Sequence, residues 1–366
     1  MRDAVFKAAK ALPEIQIVPL AGQRDSDERS LVLCVADCHY GAEWTIRGLY
    51  EEVLNAYSPE IFEARMADLL GQVRAILERE RLSHVVLLLC GDALDGMLRS
   101  SQLMRLRWGV VESCMRYAEY MARWVSALAL YADVEVYGVD GNHSEIRPLG
   151  SRRGEFENEN LEKIILWHMA ARLRNAATVK VDECAAKRKL VKVQGYSILL
   201  CHDTDTRALE EAAKQAMLLY NERIDFMICG HKHRERELIS GYTDSGNAVI
   251  LRVPSICGMD DYAQRLGYGG QPGALAMVVE AGYGRRCAYP ILLGGEAYDG
   301  LKHALPPQGK ARTLQTLRAL REGKAAERVL RQQELGEPVV SRCVVPRVRD
   351  ETLRGQRDLA GLLLVQ

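Results

Sequence analysis

Five short stretches of this chain, Asp37-Cys38-His39, Gly91-Asp92, Gly141-Asn142-His143, Cys201-His202-Asp203 and Gly230-His231-Lys232-His233, place metal-ligand side chains at the end of an apolar run. Hard carboxylate oxygens, an amide oxygen and borderline imidazoles on one site suit Mn, Fe or Zn, whereas an all-oxygen set would point to Ca or Mg. The chemistry this points to is phosphoester hydrolysis by two metals. Asp92 is the natural bridge, since a carboxylate shared by two cations keeps them about 3.5–4 Å apart, the spacing that clamps the attacking and leaving oxygens of an in-line displacement. A water between the cations is acidified into a nucleophile. His231 and His233 are one residue apart and can address different metals while Lys232 points away, with Gly230 allowing a sharp bend. Each motif alone is common, but order, spacing and a shared strand-then-loop setting make the set specific. Five of the eight histidines fall inside it.

The elements that must position these groups are legible as short apolar runs alternating with amphipathic stretches, the pattern of an α/β layer architecture. LVLCVA (31–36) leads to Asp37, VVLLL (85–89) to Asp92, and VEVYGV (134–139) to Asn142 and His143. KLVKV and YSILL, turned through Gln194-Gly195, read as a hairpin whose second strand delivers His202. DFMIC (225–229) delivers His231 and His233. Each ligand thus sits just past the C-terminal end of a strand, where open α/β sheets bind their ligands. Helices are expected at about 59–81, with Ser58 as N-cap and Pro59 at the first position, at about 101–131 and at about 206–221. Strand-like runs at about 235–240, 247–253, 274–280 and 286–293 suit the outer strands of a second sheet. These boundaries divide the chain into an N-terminal extension (1–30), a catalytic domain (31–295) and a basic appendage (296–366) with an amphipathic helix over 310–335.

Composition sets the frame. With 366 residues, 48% of them hydrophobic, the chain can bury a large core. Lys plus Arg (49) balance Asp plus Glu (49), so overall charge does not announce a polyanionic partner. None of the ten cysteines forms a CxxC pair, and Cys34, Cys90, Cys201 and Cys229 lie in or beside apolar runs, which reads as a reducing, cytoplasmic setting. No apolar run has the length of a signal peptide core or a membrane span, so a soluble protein with no membrane partner is expected.

The ordered motifs D-x-H, G-D-x-x-D, G-N-H, a lone His and G-H-x-H between residues 37 and 233 resemble the calcineurin-like metallophosphoesterases. The resemblance implies a four-layer αββα sandwich. It implies one metal held by Asp37, His39, Asp92 and His233 and a second by Asp92, Asn142, His202 and His231. It makes His143 a general acid toward the leaving oxygen or a transition-state stabiliser, not a ligand. Asp95 becomes a group behind the ligands that holds a histidine. The family pattern has Asp or Glu directly after the G-N-H histidine; this chain has Ser144 and then Glu145, which leaves Glu145 or Asp140 to orient His143.

The extended motif Asp37-Cys38-His39-Tyr40-Gly41 looks similar to the DNA-repair exonuclease branch and to phage-encoded metallophosphoesterases near it. The stretch from Pro254 to Tyr262, with Leu266-Gly267-Tyr268 beyond it, also resembles the phage type. The protein-phosphatase pattern is absent, since Asp140 precedes Gly141 and Asp203 follows His202. The expectation is a dinuclear phosphodiester hydrolase using Mn, with Fe and Zn as alternatives, acting on DNA or RNA. The alternatives are a phosphomonoesterase or small-molecule phosphodiesterase, and a non-catalytic scaffold against which the intact ligand set argues. Nuclease relatives often work as dimers, so a homodimer is carried from the resemblance alone. Arg47, Arg99, Arg105, Arg107, Arg152 and Arg153 are candidate backbone contacts, with Trp44 or Tyr40 as a stacking face. His84, His168 and His303 are read as structural or exposed, and Cys38 and Cys201 as core.

Overall fold

A computed structural model describes Ile15 and residues 28–148, 151–152, 155–156, 158–202, 209–240, 248–267 and 270–294. Arg153, Asp203, His303 and the 296–366 appendage lie outside the described residues, as does all of the N-terminal extension but Ile15 and its last three residues.

The apolar runs become strands for the reason the sequence suggests, and the central ones, before Asp37 and Asp92, are apolar on both faces because each is covered twice. β1 (Arg29–Val35), β4 (His84–Leu89), β5 (Asp133–Gly138) and β6 (Val179–Val181) run parallel, and with β12 (Gly273–Glu280) and β13 (Gly284–Leu292) they form a six-stranded sheet of order β13-β12-β1-β4-β5-β6. Leu31, Leu33 and Val35 of β1 pack beneath α1 (Pro59–Glu80), α3 (Val110–Leu128) and α4 (Glu162–Leu173). The alternating Val32 and Cys34 face a second sheet of order β10-β11-β9-β8-β7. That sheet comprises β7 (Arg188–Val193), β8 (Tyr196–Cys201), β9 (Phe226–Cys229), β10 (Arg236–Ser240) and β11 (Ala248–Arg252). Its Ile198, Leu200, Phe226 and Ile228 point into the inter-sheet core, while Leu199, Cys201, Met227 and Cys229 pack on the far side with Ala212, Ala213 and Ala216 of α5 (Leu209–Tyr220). Helices, sheet, sheet and helix therefore stack as four layers.

The local signals hold in detail. Ser58 Oγ accepts the backbone N–H of Ile61, and α1 ends where Arg81 turns left-handed at φ 52°. Gln194 and Gly195, at φ 50° and 84°, turn β7 into β8 with the positive φ pair that a two-residue hairpin needs.

Three expectations are corrected. The strands β12 (Gly273–Glu280) and β13 (Gly284–Leu292) do not extend the second sheet: β12 returns to the first and pairs antiparallel with β1, Leu31 opposite Val278. The long helix expected over 101–131 is broken into α2 (Ser100–Leu103) and α3. Between them the backbone docks on the first ligand loop instead of on itself, Glu43 N donating to Arg105 O and Arg107 N to Gly41 O, and the Arg107 side chain pairs with Glu43 and Glu60. The stretch between Asp37 and Ser58, where the sequence reading places no strand, contains the hairpin β2 (Trp44–Arg47) and β3 (Val53–Tyr57). The remaining element, α6 (Asp261–Arg265), is capped by Asp260, whose carboxylate accepts from Ala263 N. Among the described residues no helix is long and apolar enough to cross a membrane.

Candidate metal centre

Because β1 and β4 are parallel and in register, their ends carry Asp37 and Asp92 to one edge of the first sheet, and the ladder continues into the loops through Cys90 N to Val35 O and Asp37 N to Gly91 O. β8 and β9, also parallel, bring His202 and the His231–His233 turn to the matching edge of the second sheet. The two edges meet tightly. A Cβ on Gly230 would lie 2.9 Å from the Cys90 carbonyl oxygen and 3.1 Å from Asp37 Oδ2, so this glycine serves close approach; the left-handed turn expected of it falls instead on His231 and His233. A Cβ on Gly141 would overlap Asp92 itself.

All seven expected ligands converge there. His39 Nε2 and His233 Nε2 are 3.2 Å apart, and His233 Nε2 is 3.6 Å from Asp37 Oδ1. On the other side of Asp92, His202 Nε2 lies 3.0 Å from Asp92 Oδ2 and 3.1 Å from Asn142 Oδ1, with the His231 ring centroid 5.0 Å from that of His202. Asp92, His202 and His231 form one group of atoms able to hold an ion, and His39 and His233 belong to another. Asp37, His39, Asp92 and His202 are buried.

The rings are oriented from behind. His202 Nδ1 donates to Cys90 O at 2.8 Å and His39 Nδ1 to Asp95 Oδ1 at 3.1 Å, which turns each Nε2 lone pair inward. His233 Nδ1 faces the Gly258 carbonyl at 3.4 Å. Lone pair then meets lone pair or carbonyl oxygen at 3.0–3.2 Å in three places, an arrangement that only a proton or a cation between the atoms makes favourable. These donors therefore fit divalent metals. Burial lowers the His202 pKa, but Asp92 beside it outweighs burial and raises it to about 10. Burial pushes Asp92 up, and His202, His143 and His39 together pull it well below the usual carboxylate range. His231 is depressed by burial and by His202.

Five of the seven residues have a left-handed backbone: Asp37 (φ 50°), His39 (45°), Asp92 (54°), His231 (80°) and His233 (52°). Each such residue costs on the order of 1–3 kcal/mol and persists only where the surroundings dictate it. Here the dictating contacts are hydrogen bonds to the ligands themselves. His231 N donates to both oxygens of Asp37 at 2.9 and 3.0 Å, and His143 N to Asp92 Oδ1 at 2.7 Å.

His143 stands edge-on to His39, ring centroids 4.4 Å apart. Its Nδ1 lies 2.8 Å from Gln102 Nε2 and 3.1 Å from the Asp95 carbonyl, with Asp95 Oδ1 at 3.5 Å, so it accepts from the amide when bare or donates to Asp95 when it carries a proton. Burial lowers its pKa, and Asp92 and Asp95 outweigh burial, so the net shift is upward. Asp95, not Glu145 or Asp140, is thus the carboxylate at this ring: Glu145 is ion-paired with Arg147 at 2.6 Å because the 145–147 turn folds the two together.

The expected substrate contacts fare differently. Tyr40 and Trp44 are each only 2% exposed, Tyr40 inside a cluster with Phe62, Trp108 and Tyr117, and Trp44 against Tyr57 with its N–H donated to Met259 O. Neither offers a stacking face, because Phe62 of α1, Tyr117 of α3 and Trp108 surround Tyr40, while Tyr57 of β3 and Met259 of the 254–262 loop hold Trp44. Arg105 is bidentate to Asp95 at 2.6 and 2.7 Å and stacks on Trp44, and Arg107 is ion-paired. Arg99 and Arg152 are exposed. His84 bonds Ser30 and His168 bonds Glu119, away from the ligands, while Cys38 and Cys201 are buried. Sequence reasoning missed Gln102, Cys257 and Glu162. Cys257 Sγ forms an ion-capable group with His39 and His233. Gln102 and Glu162 lie in no motif, Cys257 lies in the Pro254–Tyr262 stretch but was not read as a ligand there, and only the fold brings the three in.

A SPbeta prophage-derived uncharacterized protein, YonJ, of Bacillus subtilis (strain 168) is 27% identical over 296 residues, 80% of this chain and 70% of that protein. Among solved structures, a novel archaeal phosphodiesterase is 10% identical with a TM-score of 0.34, covering 72% of this chain and 99% of its own. Zn-complexed Vps29 of Entamoeba histolytica is 13% identical with a TM-score of 0.31, covering 72% and 99%. The calcineurin-like phosphoesterase model matches residues 30–235, more than half of the chain and the whole span of the ligand motifs. The chain belongs to the calcineurin-like phosphoesterase family and is a metal-dependent phosphoester hydrolase.

Proposed function

We propose that this protein is a dinuclear phosphodiester hydrolase, a nuclease acting on DNA or RNA with Mn as its metal. The observation that carries the dinuclear reading is the pair of inward-facing donor sets that share Asp92: Asp37, His39 and His233 on one side, Asn142, His202 and His231 on the other. Divalent metals bound there supply Lewis-acid polarisation of the phosphoester and acidify a water for attack. Asp92, common to both donor sets, would be the residue the two ions share. His143, its Nδ1 set beside Asp95 and Gln102, offers its other ring nitrogen, Nε2, to the ester and protonates the leaving oxygen, which would otherwise depart as an alkoxide. Asp95 keeps both His39 and His143 in register. The nuclease assignment draws on the Asp37-Cys38-His39-Tyr40-Gly41 motif and on the prophage origin of the YonJ relative. The nine described cysteines are free, as a cytoplasmic location requires, and a homodimer belongs to the same proposal.

A second reading, a small-molecule phosphodiesterase or phosphomonoesterase, is favoured by the burial of Tyr40 and Trp44 and by the ion-pairing of Arg105 and Arg107, which remove much of a nucleic-acid surface. One assay separates them. Mn-reconstituted protein is offered labelled single- and double-stranded DNA and RNA, bis-p-nitrophenyl phosphate and p-nitrophenyl phosphate. Cleavage of the polynucleotide and the diester supports the nuclease, and cleavage of the monoester alone sinks it.

A further inference from the structure

Glu162 begins α4, and its carboxyl is 3% exposed, yet it belongs to no sequence motif. One oxygen of that buried carboxyl, Oε1, accepts two hydrogen bonds of 2.8 Å, from the backbone N–H of Ala93 and from Ser144 Oγ. Ala93 directly follows Asp92 and Ser144 directly follows His143, so a single atom joins the loop of the bridging carboxylate to the loop of Asn142 and His143. The neighbouring residues complete the grip. Asn160 Nδ2 donates to Gly141 O at 2.8 Å while its Oδ1 accepts Glu162 N at 3.0 Å, and Leu161 N donates to Ser144 O at 2.9 Å. Asn142 and His143 are therefore held from both flanks by the first turn of one helix. Burying a carboxyl costs free energy, whereas burying an apolar side chain of similar volume is favourable, and Leu or Met at this position would fill the core equally well. What only an acceptor can supply is the tie between the loops.

We infer that Glu162 is a positioning residue that sets Asp92 against Asn142 and His143, and through them the spacing of the two metals and the reach of the leaving-group acid. The inference rests on the dinuclear reading above. Asp92 holds the Asn142–His143 loop through one hydrogen bond of its own, His143 N to Oδ1, and a carboxylate tolerates rotation about a single such bond. Glu162 removes the freedom by holding the residue after each.

The test uses the full chain loaded with Mn, in wild type, Glu162→Ala, Glu162→Gln and Ser144→Ala, and reads steady-state hydrolysis of bis-p-nitrophenyl phosphate beside the electron paramagnetic resonance of the bound ions. Removing a group behind a metal site typically lowers activity or metal affinity about 10–100-fold. Glu162→Ala is expected to lower kcat by about that factor with KM within about threefold, and to alter the exchange-coupled signal of the Mn pair. Glu162→Gln keeps an oxygen that can accept both bonds and restores most of kcat and the signal. If Glu162→Ala does not fold, Ser144→Ala, which removes one tie and little volume, is expected to lower kcat several-fold with an unchanged melting temperature. Wild-type kcat and an unaltered coupled signal in a folded Glu162→Ala, or a wild-type kcat in Ser144→Ala, overturns the inference. A wild-type protein that shows no coupled Mn pair overturns the dinuclear proposal instead.

Discussion

Asp95 is fully buried, and its carboxylate is divided among His39 Nδ1, both nitrogens of the Arg105 fork and the His143 ring. Burial pushes its pKa up, and the bonds to His143, His39 and Arg105 hold it well below the usual carboxylate range. Asp95→Ala leaves the Arg105 guanidinium in the interior with Asp260, at 3.9 Å, as its nearest named acid. Breaking a buried pair in this way costs about 3–5 kcal/mol. It also frees the His39 ring, so Mn affinity is expected to weaken about 10–100-fold, read by metal titration beside a denaturant melt. Affinity within twofold of wild type would show that His39 needs no support. His143 makes the complementary prediction. His143→Ala should keep its metals, since no expected ligand is lost, while kcat falls about 10²–10⁴-fold. A variant that hydrolyses at the wild-type rate would take His143 out of the mechanism.

At the scale of elements, Glu119 on α3 joins that helix to α4, accepting from Arg172 at 2.8 and 3.1 Å and facing His168 at 3.1 Å and Arg123 at 3.0 Å. Burial pushes its pKa up, but His168, Arg172 and Arg123 outweigh burial and lower it far below its ordinary 4.5. A depressed folded pKa adds stability that is complete above the unfolded value and drains away as pH falls below about 4.5 toward the folded one. Glu119→Gln should therefore destabilise at pH 7 by about 1–3 kcal/mol, with the gap to wild type closing as urea melts are taken from pH 5 to pH 3. A gap independent of pH would assign the cost to packing. The elements themselves divide by how far their signals reach. Ser58-Pro59, Gln194-Gly195 and the apolar runs before Asp37 and Asp92 act within a few residues, and the sequence showed them. The break between α2 and α3 follows from bonds to Gly41 and Glu43 some sixty residues earlier, and the sheet joined by β12 follows from pairing across more than two hundred, neither of which leaves a local pattern. The same distinction governs the site. The seven convergent donors stand in compact motifs, whereas Gln102 and Glu162 look like ordinary helix residues until the fold sets them against His143, Ala93 and Ser144.

For the whole molecule, four layers let two sheet edges oppose each other, so that ligands from residues nearly two hundred apart in sequence meet in a space where glycine at 230 and 141 is the only residue that fits. Preorganisation on this scale is why the left-handed ligand residues are tolerated: the cores on either side of the inter-sheet layer fix the strand ends before any loop is placed. The antiparallel seat of β12 beside β1 bears on how this protein can be cut. The family match stops at residue 235, and a fragment ending there would hold every ligand. It would also strip the partner from one side of Leu31–Cys34, exposing the backbone of an apolar strand as a template for other copies. Such a fragment is expected to form aggregates on light scattering, while one carried through Leu292 stays dispersed, so the smallest working unit extends well past its last catalytic side chain.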